Sequence, residues 1–471
     1  MGEKCMELPY EEEIRKLSHP EAPKIVTKEI PGPKAKEVLN KVYELETVTL
    51  LAPYVIPFVW YEAKGSTIMD PDGNIFIDMT AGIAVNAVGH SHPEVVEVIK
   101  AQAEKLMHTV DMPSPKRVEL MEKLSKIAPG EMKGNVRVAF AMSGSDAAEM
   151  CLKFARWFTG RAEIIAFHGG YHGITTGTLA LTTNPAYKKG LPPLVPGIHF
   201  APYAYCYRCA FGQKGYPDCD LQCARYVEDL ITKPGVGLTD KPAAVIMEPV
   251  QGEGGYIPPP GEFVKWVWKV CKENDVVFID DEVQSGFCRT GKWFAIEHWG
   301  LTPDLLNLGK ALGGDFPVAA VVGLKRLMDN LPKASQPVTF AGNALGCAVA
   351  SKNIELMKRY RLDERAAKLG DYFMKMLKEL EAESKIIGEV RGLGLMIGIE
   401  MVKDKKTKEP MDLDKMVWLV HRMRDKGVLA MICGRWGQVF RFMPPLVITK
   451  EMLDKVYEVF RDSVKELERQ L

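Results

Sequence analysis

The chain has 471 residues, more than a single hydrophobic core usually supports, which favours a large domain with a smaller one beside it. Its 61 basic and 61 acidic residues cancel, so the overall charge gives no reason to expect nucleic acid or an anionic membrane as a partner. No apolar run reaches the length of a membrane span and the first residues carry no signal-peptide pattern, so we expect a cytoplasmic protein with a small-molecule substrate.

The first 50 residues are rich in proline, lysine and glutamate and show helical periodicity only in "GPKAKEVLNKVYELE". The stretch "STIMDPDGNIFIDMTAG" follows, with an Asp-Gly pair between two apolar runs, and predicts a β-hairpin. We assign residues 1–75 to an N-terminal segment that contributes to the smaller domain.

From about Pro93 to Cys347, helical stretches alternate with the short apolar runs "VRVAFAM", "AEIIAF", "AAVIMEPV", "VVFIDDEV", "LLNLG" and "VAAVVG". Apolar runs separated by helices are typical of a mainly parallel sheet with helices on both faces. The pattern therefore predicts an α/β fold, with a large domain over residues 76–350. Helices and shorter apolar runs after it predict a small α+β domain over residues 351–471.

Residues that can take part in binding or catalysis follow the first two of these apolar runs. After "VRVAFAM", Ser143, Gly144 and Ser145 stand where a helix begins, which suits either a phosphate group or a simple helix cap. After "AEIIAF", Tyr171 and His172 stand at the carboxyl end of a strand, the edge at which α/β sheets bind ligands. An aromatic ring there can stack on a flat ligand, although loop packing is the alternative.

A cluster of acids and an unusual lysine follow later in the chain. Asp280, Asp281 and Glu282 stand at the end of an apolar strand, and a buried carboxylate there needs a partner such as a protonated ring nitrogen. Lys310 lies in the glycine-rich, apolar stretch "LGKALGG", where it is either a structural accident or an amine with a lowered pKa. Proteins hold pyridoxal phosphate with a lysine amine that bonds to it and an aspartate beside its protonated ring nitrogen.

Four cysteines lie close together in "CYRCAFGQKGYPDCDLQC", namely Cys206, Cys209, Cys219 and Cys223. Their spacing is near that of a structural zinc site, but the second pair is separated by three residues rather than two. Disulfides and free thiols are the alternatives. We assign no metal ligands from this pattern.

The order of SGSDAAE, YHG, EPVQGEGG, DEVQSGF, GKALGG and TFAGN, from about Tyr61 onward, resembles that of the class III pyridoxal-phosphate aminotransferases. The resemblance implies the type I pyridoxal-phosphate enzyme fold, with residues 76–350 as the large cofactor-binding domain. It also implies a homodimer, or a dimer of dimers, with active sites shared between subunits. The cofactor would be pyridoxal 5'-phosphate.

The resemblance also assigns roles to individual residues. Lys310 would form the internal aldimine and then move protons, Asp281 would bind the pyridine nitrogen, and Gln284 would bind the ring hydroxyl. Gly144 and Ser145 would hold the phosphate.

Three further residues complete the implied cofactor site. Either His172 or Tyr171 would cover one face of the cofactor ring. Thr339 would reach the phosphate of the cofactor in the partner subunit.

Substrate recognition rests on a second set of positions. Glu253 resembles the family's gating glutamate and Arg441 the arginine that receives an α-carboxylate, with a structural ion pair as the alternative. Ile174 stands where 4-aminobutyrate and ornithine aminotransferases usually have arginine, which argues against plain 4-aminobutyrate specificity and allows a different docking of the donor. Asp111 is a candidate partner for a donor's second amino group, or a helix cap.

The resemblance thus predicts an aminotransferase that moves an amino group from an ω-amino donor, ornithine or 4-aminobutyrate-like, or a related amino acid, to a 2-oxoacid. An amino-acid racemase on the same fold is the alternative. Glutamate at Glu253, where the related racemases have aspartate, favours transamination, whereas Ile174 is similar to the racemases. A binding protein without activity would be expected to have lost Lys310 or Asp281, and both are present.

Overall fold

The computed structural model describes residues 8–49, 55–233 and 235–471. Its N-terminal part contains the helices α1 (Glu11–Arg15) and α2 (Pro33–Leu45) and the strands β1 (Glu62–Lys64), β2 (Thr67–Met69) and β3 (Ile75–Asp78). The three strands are antiparallel, in the order β1-β2-β3. The predicted hairpin is confirmed as β2 and β3, and β1 is a strand that the sequence analysis did not predict.

The turn of this hairpin depends on its polar residues. One oxygen of the Asp70 carboxylate accepts hydrogen bonds from the backbone N–H groups of Asp72, at 3.0 Å, and Asn74, at 2.9 Å. Gly73 between them has a φ of 89°, a left-handed conformation that glycine adopts without strain. The Asp-Gly pair therefore sets the register that buries both apolar runs.

The central sheet has seven strands, and most of their residues are buried. They are β4 (Val136–Ala141), β5 (Ile164–Phe167), β6 (Ile198–Ala201), β7 (Ala244–Met247), β8 (Val277–Asp281), β9 (Leu305–Leu308) and β10 (Ala319–Leu324), in the order β4-β10-β9-β8-β7-β5-β6. Strands β5 to β9 pair in parallel, whereas β10 is antiparallel to both of its neighbours. The predicted α/β fold with a mainly parallel sheet is confirmed.

The reversed direction of β10 follows from its short connection to β9. Between these strands the chain forms only one turn of 3₁₀ helix, Lys310–Leu312, and no crossover helix. Parallel neighbours need a longer crossover, so the short connection allows only an antiparallel strand.

Helices cover both faces of the central sheet, which is why its middle strands carry apolar side chains on both faces. The helices between residues 81 and 359 are α3 (Ala81–Ala84), α4 (Pro93–Ala103), α5 (Pro115–Ile127), α6 (Gly144–Thr159), α7 (Thr176–Leu181), α8 (Pro185–Lys188), α9 (Gln222–Thr232), α10 (Gly261–Glu273), α11 (Lys325–Met328) and α12 (Ala344–Arg359). Short 3₁₀ turns lie at Gly130–Met132, Cys206–Arg208 and Ala295–Trp299.

The C-terminal part is an antiparallel sheet with helices. Its elements are α13 (Leu362–Glu383), β11 (Ile387–Leu393), β12 (Met396–Asp404), β13 (Glu409–Pro410), α14 (Leu413–Asp425), β14 (Val428–Leu429), β15 (Met431–Cys433), β16 (Val439–Phe442) and α15 (Lys450–Glu468). The sheet order is β11-β12-β16-β15, with β13 beside β12, whereas β14 pairs in parallel with β3. The division of the chain at residues 75 and 350 stays a prediction. Among the described helices none is long and apolar enough to cross a membrane.

Candidate active site

Five strands of the central sheet deliver polar residues to one edge. Strands β4, β5, β7, β8 and β9 run in the same direction, so the loops that follow them meet at their carboxyl ends. There they enclose a cavity of about 170 Å³, the central cavity, lined by Ser143, Gly144, Ser145, Tyr171, His172, Gly173, Glu248, Glu253, Asp281, Val283, Gln284 and Lys310. Eight of the ten predicted site residues lie in this lining. Arg441 contacts it through its ion pair with Glu253, and Thr339 lies elsewhere.

The start of α6 forms one wall of the central cavity. The hydroxyl of Ser143 accepts a hydrogen bond from the N–H group of Asp146, at 3.1 Å, and so caps the helix. Gly144 lies so close to Val283 that a Cβ atom on it would lie 2.8 Å from a Val283 methyl group. This tight packing brings the backbone of the helix start against the cavity, where the helix dipole favours an anion.

Asp281 and His172 form a buried pair that also lines the central cavity. Nδ1 of His172 donates to one oxygen of Asp281 at 2.7 Å, and the other oxygen accepts from the Val283 N–H at 3.1 Å. Burial lowers the pKa of His172, but the hydrogen bond and charge of Asp281 outweigh it, and the net pKa is raised. The His172 ring is thus engaged with Asp281. That either His172 or Tyr171 covers a cofactor ring stays a prediction.

Lys310 enters the cavity from the turn after β9. Its backbone φ of 43° is left-handed, and a Cβ on the preceding Gly309 would lie 3.3 Å from the backbone of Gly144. The lysine is therefore held in a turn pressed against the start of α6. Burial lowers its pKa; Glu253 opposes this and Arg441 adds to it, and the net pKa lies below the usual value of lysine. A lysine with a lowered pKa has more of its neutral, nucleophilic form.

Glu253 and Arg441 form an ion pair beside Lys310. Arg441 lies on β16 and its side chain is buried, and its guanidinium donates to the Glu253 carboxylate at 2.5 Å. Burial raises the pKa of Glu253, but Arg441 and then Lys310 outweigh it, so the net pKa is lowered. A substrate carboxylate that binds Arg441 would compete with Glu253 for the guanidinium.

Glu248 is a site residue that the sequence analysis missed. Its buried carboxylate accepts hydrogen bonds from the N–H groups of Tyr171, at 2.9 Å, and Gly252, at 2.8 Å. Burial is the main cause that raises its pKa to about 7. An acid immediately after the apolar strand β7 was the signal for it, because that position lies at the same sheet edge as Asp281.

We expect Glu248→Gln to alter the pH dependence of stability in the cofactor-free protein. A carboxyl whose pKa rises on folding, here from 4.5 to about 7, stabilises the fold fully below pH 4.5, and this contribution is lost as pH rises through 7. At about 1.4 kcal/mol per pKa unit, the wild type loses roughly 3 kcal/mol that the variant does not. Denaturant unfolding at pH 5 and pH 8.5 measures the difference. Glu131→Gln, an exposed control, should follow the wild type, and parallel curves for Glu248→Gln would contradict the expectation.

Thr339, Asp111 and Ile174 lie outside the central cavity. Thr339 and Asp111 are exposed in turns, and Ile174 is 57% exposed. The role of Thr339 on a partner's cofactor and that of Asp111 on a donor amine both stay predictions.

The four clustered cysteines surround a small separate cavity. All four are free thiols, and burial raises the pKa of Cys223 to about 11. Within residues 8–49, 55–233 and 235–471, no group of three or more His, Cys, Asp or Glu side chains is arranged to hold a metal ion.

Comparison with known proteins places this arrangement among enzymes. The family model "Aminotransferase class-III" matches residues 52–464. A leucine/methionine racemase from Thermococcus litoralis is 37% identical over 88% of this chain and 91% of its own, and a diaminobutyrate–2-oxoglutarate aminotransferase from Rhizobium meliloti is 37% identical over 86% and 87%. A structure of the Toxoplasma gondii ornithine aminotransferase with partially occupied PLP at its active site matches with a TM-score of 0.79 and 28% identity, over 92% of this chain and 95% of that one.

Proposed function

The chain belongs to the class III aminotransferases and has pyridoxal 5'-phosphate as its cofactor, and we propose that it transfers an amino group from an ω-amino donor to a 2-oxoacid. Ornithine and 4-aminobutyrate-like compounds are the proposed donors. The observation that carries the proposal is the Glu253–Arg441 pair beside Lys310. An arginine that a glutamate can cover or release suits an enzyme that must accept a donor and a dicarboxylic acceptor in turn.

The residues of the central cavity fit the cofactor. Asp281 offers a carboxylate to a protonated ring nitrogen, and the start of α6 at Gly144 and Ser145 offers N–H groups to a phosphate. Oε1 of Gln284 is buried and has no hydrogen-bond partner among the described residues, so it can accept from a ring hydroxyl. When bound, the cofactor supplies an electron sink for the substrate carbon.

Lys310 is the proposed catalytic base and the residue that holds the cofactor covalently, through a Schiff base. Its lowered pKa supports both roles, because each needs a neutral amine. Tyr171 is proposed to cover one face of the ring, and His172 to hold Asp281 in place through the bond at 2.7 Å. Thr339 is proposed to complete the phosphate site of a partner subunit. The enzyme would then be a homodimer or a dimer of dimers, and we propose the cytoplasm as its location.

Racemisation is the second candidate, because two relatives named as racemases are 37% and 36% identical to this chain, an identity that the aminotransferase relatives also reach. A racemase needs a second acid or base opposite the lysine, and Glu253 is the candidate. Although burial raises the pKa of Glu253, Arg441 and Lys310 hold it below the usual value, so it is a weak base. This ion pair supports transamination.

The deciding experiment incubates the purified enzyme with single L-amino acids in deuterated water, with and without 2-oxoglutarate. We expect oxoacid or aldehyde product only when the acceptor is present, and no D-enantiomer, because one base on one face returns the proton to that face. D-enantiomer formed without acceptor would overturn transamination in favour of racemisation.

A further inference from the structure

A second cavity, the side cavity, adjoins the central cavity. It has a volume of about 250 Å³ and is lined by His168, Gly169, Gly170, Tyr171, Thr183, Asn184, Pro185, Glu253, Gly254, Gly434 and Arg435. Tyr171 and Glu253 line both cavities. The two cavities therefore share a boundary at these residues, on the side of the central cavity that also contains Lys310 in its lining.

Arg435 is the unneutralised charge of the side cavity. Its guanidinium lies 5.3 Å from the centre of the exposed Trp436 ring, and among the described residues no acid or hydrogen-bond acceptor pairs with it. The other charged groups cancel, since Glu253 is paired with Arg441. Burial and then the charge of Arg435 lower the pKa of His168, which is consequently neutral at pH 7. The side cavity therefore carries a net positive charge and suits an anionic group.

The backbone around Arg435 is fixed relative to Glu253. The N–H group of Gly434 donates to the backbone carbonyl of Glu253 at 2.9 Å, and the side-chain oxygen of Gln438 accepts from the Trp436 N–H at 3.0 Å. Gly434 itself has a φ of 88° and packs against Gln438 and Val439. This turn holds the backbone of Arg435 in place, and its side chain, unpaired among the described residues, lines the same cavity as Glu253.

We propose that Arg435 binds the carboxylate at the end of the donor that is distant from the reacting amine. This rests on the proposed function and names its substrate class: ω-amino acids, with the reacting amine at Lys310 and the carboxylate in the side cavity. Ile174 lines neither cavity and offers no charge, so it does not compete for this carboxylate. Arg441 remains available for the 2-oxoacid.

The test compares matched donors with and without the carboxylate. The rate of the first half-reaction is measured for ornithine against putrescine, and for 4-aminobutyrate against n-propylamine, by the change in cofactor absorbance under single-turnover conditions. In Arg435→Ala we expect kcat/KM for each carboxylated donor to fall at least about tenfold relative to kcat/KM for the matching amine without a carboxylate. The loss should appear mainly as a higher KM. Loss of a charged hydrogen bond has roughly this effect. Arg435→Lys should recover part of the preference, because it keeps the charge but loses the bidentate geometry.

Arg225→Ala is the matched control. Arg225 is also exposed, without an ion pair among the described residues, and lies 5.8 Å from the centre of the Trp266 ring, but it lines neither cavity. Arg225→Ala should leave the ratio of kcat/KM between carboxylated donor and matching amine unchanged. If Arg435→Ala leaves the ratio of kcat/KM between carboxylated donor and matching amine unchanged, while the wild type transfers amino groups normally, only the role of Arg435 is overturned. A wild type that transfers no amino group from any of the four donors overturns the proposed function as well.

Discussion

Replacing Lys310 with alanine is expected to lower amino transfer by about ten-thousand-fold, because the change removes both the covalent attachment and the proposed base. The absorption band of the lysine-linked cofactor should disappear. In the wild type, reduction with borohydride followed by peptide mapping should locate the cofactor on Lys310.

Lys325→Ala provides the control, since Lys325 lies at the start of α11, outside both cavities. It should keep the wild-type spectrum and rate. If Lys310→Ala retained the lysine-linked band, or borohydride labelled another lysine, the assignment of Lys310 would be wrong.

Asp281→Asn is expected to lower kcat about a thousandfold while the cofactor stays bound. A carboxylate stabilises a protonated ring nitrogen, whereas a neutral amide does not, so the electron sink is weakened without loss of the phosphate site. Absorbance of the bound cofactor measures occupancy, and single-turnover kinetics measure the rate.

Asp280→Asn is the matched control for this substitution. Asp280 is the neighbouring residue on β8, and side chains alternate between the two faces of a strand, so it does not line the central cavity. Burial and then the neighbouring acid Glu282 raise its pKa strongly, and its oxygens have no hydrogen-bond partner among the described residues. Because burial disfavours a negative charge at Asp280, an amide should be tolerated there, with a rate within about twofold of the wild type. Equal losses in both variants would show that the strand, rather than the Asp281 carboxylate, was perturbed.

The sequence predicted which residues come together at one edge of the sheet, because each of them follows a strand. A buried parallel strand is a short apolar run, and its carboxyl end is a defined place, so Ser145, Tyr171, Asp281 and Lys310 could be expected at one edge before their contacts were known. The packing of Gly144 against Val283 then explains why these loops meet.

Features that depend on tertiary contact could not be predicted in this way. Strand β6 lies at the sheet edge and is only half-buried over most of its length, so it has no clear apolar run. The pairing of His172 with Asp281 depends on the distance between two segments that are far apart in the chain, and no local sequence pattern encodes that distance. Arg435 lies in an exposed turn, and its significance comes from the cavity that the other loops form around it.

The parallel pairing of β3 with β14 joins residue 77 to residue 428. A ribosome releases the N-terminal strands long before their neighbour exists, so this sheet is completed only when synthesis is almost finished. The two ends of the chain are thereby made interdependent: trimming the protein beyond residue 427 would leave β3 with an open edge, and removing the first 78 residues would do the same to β14.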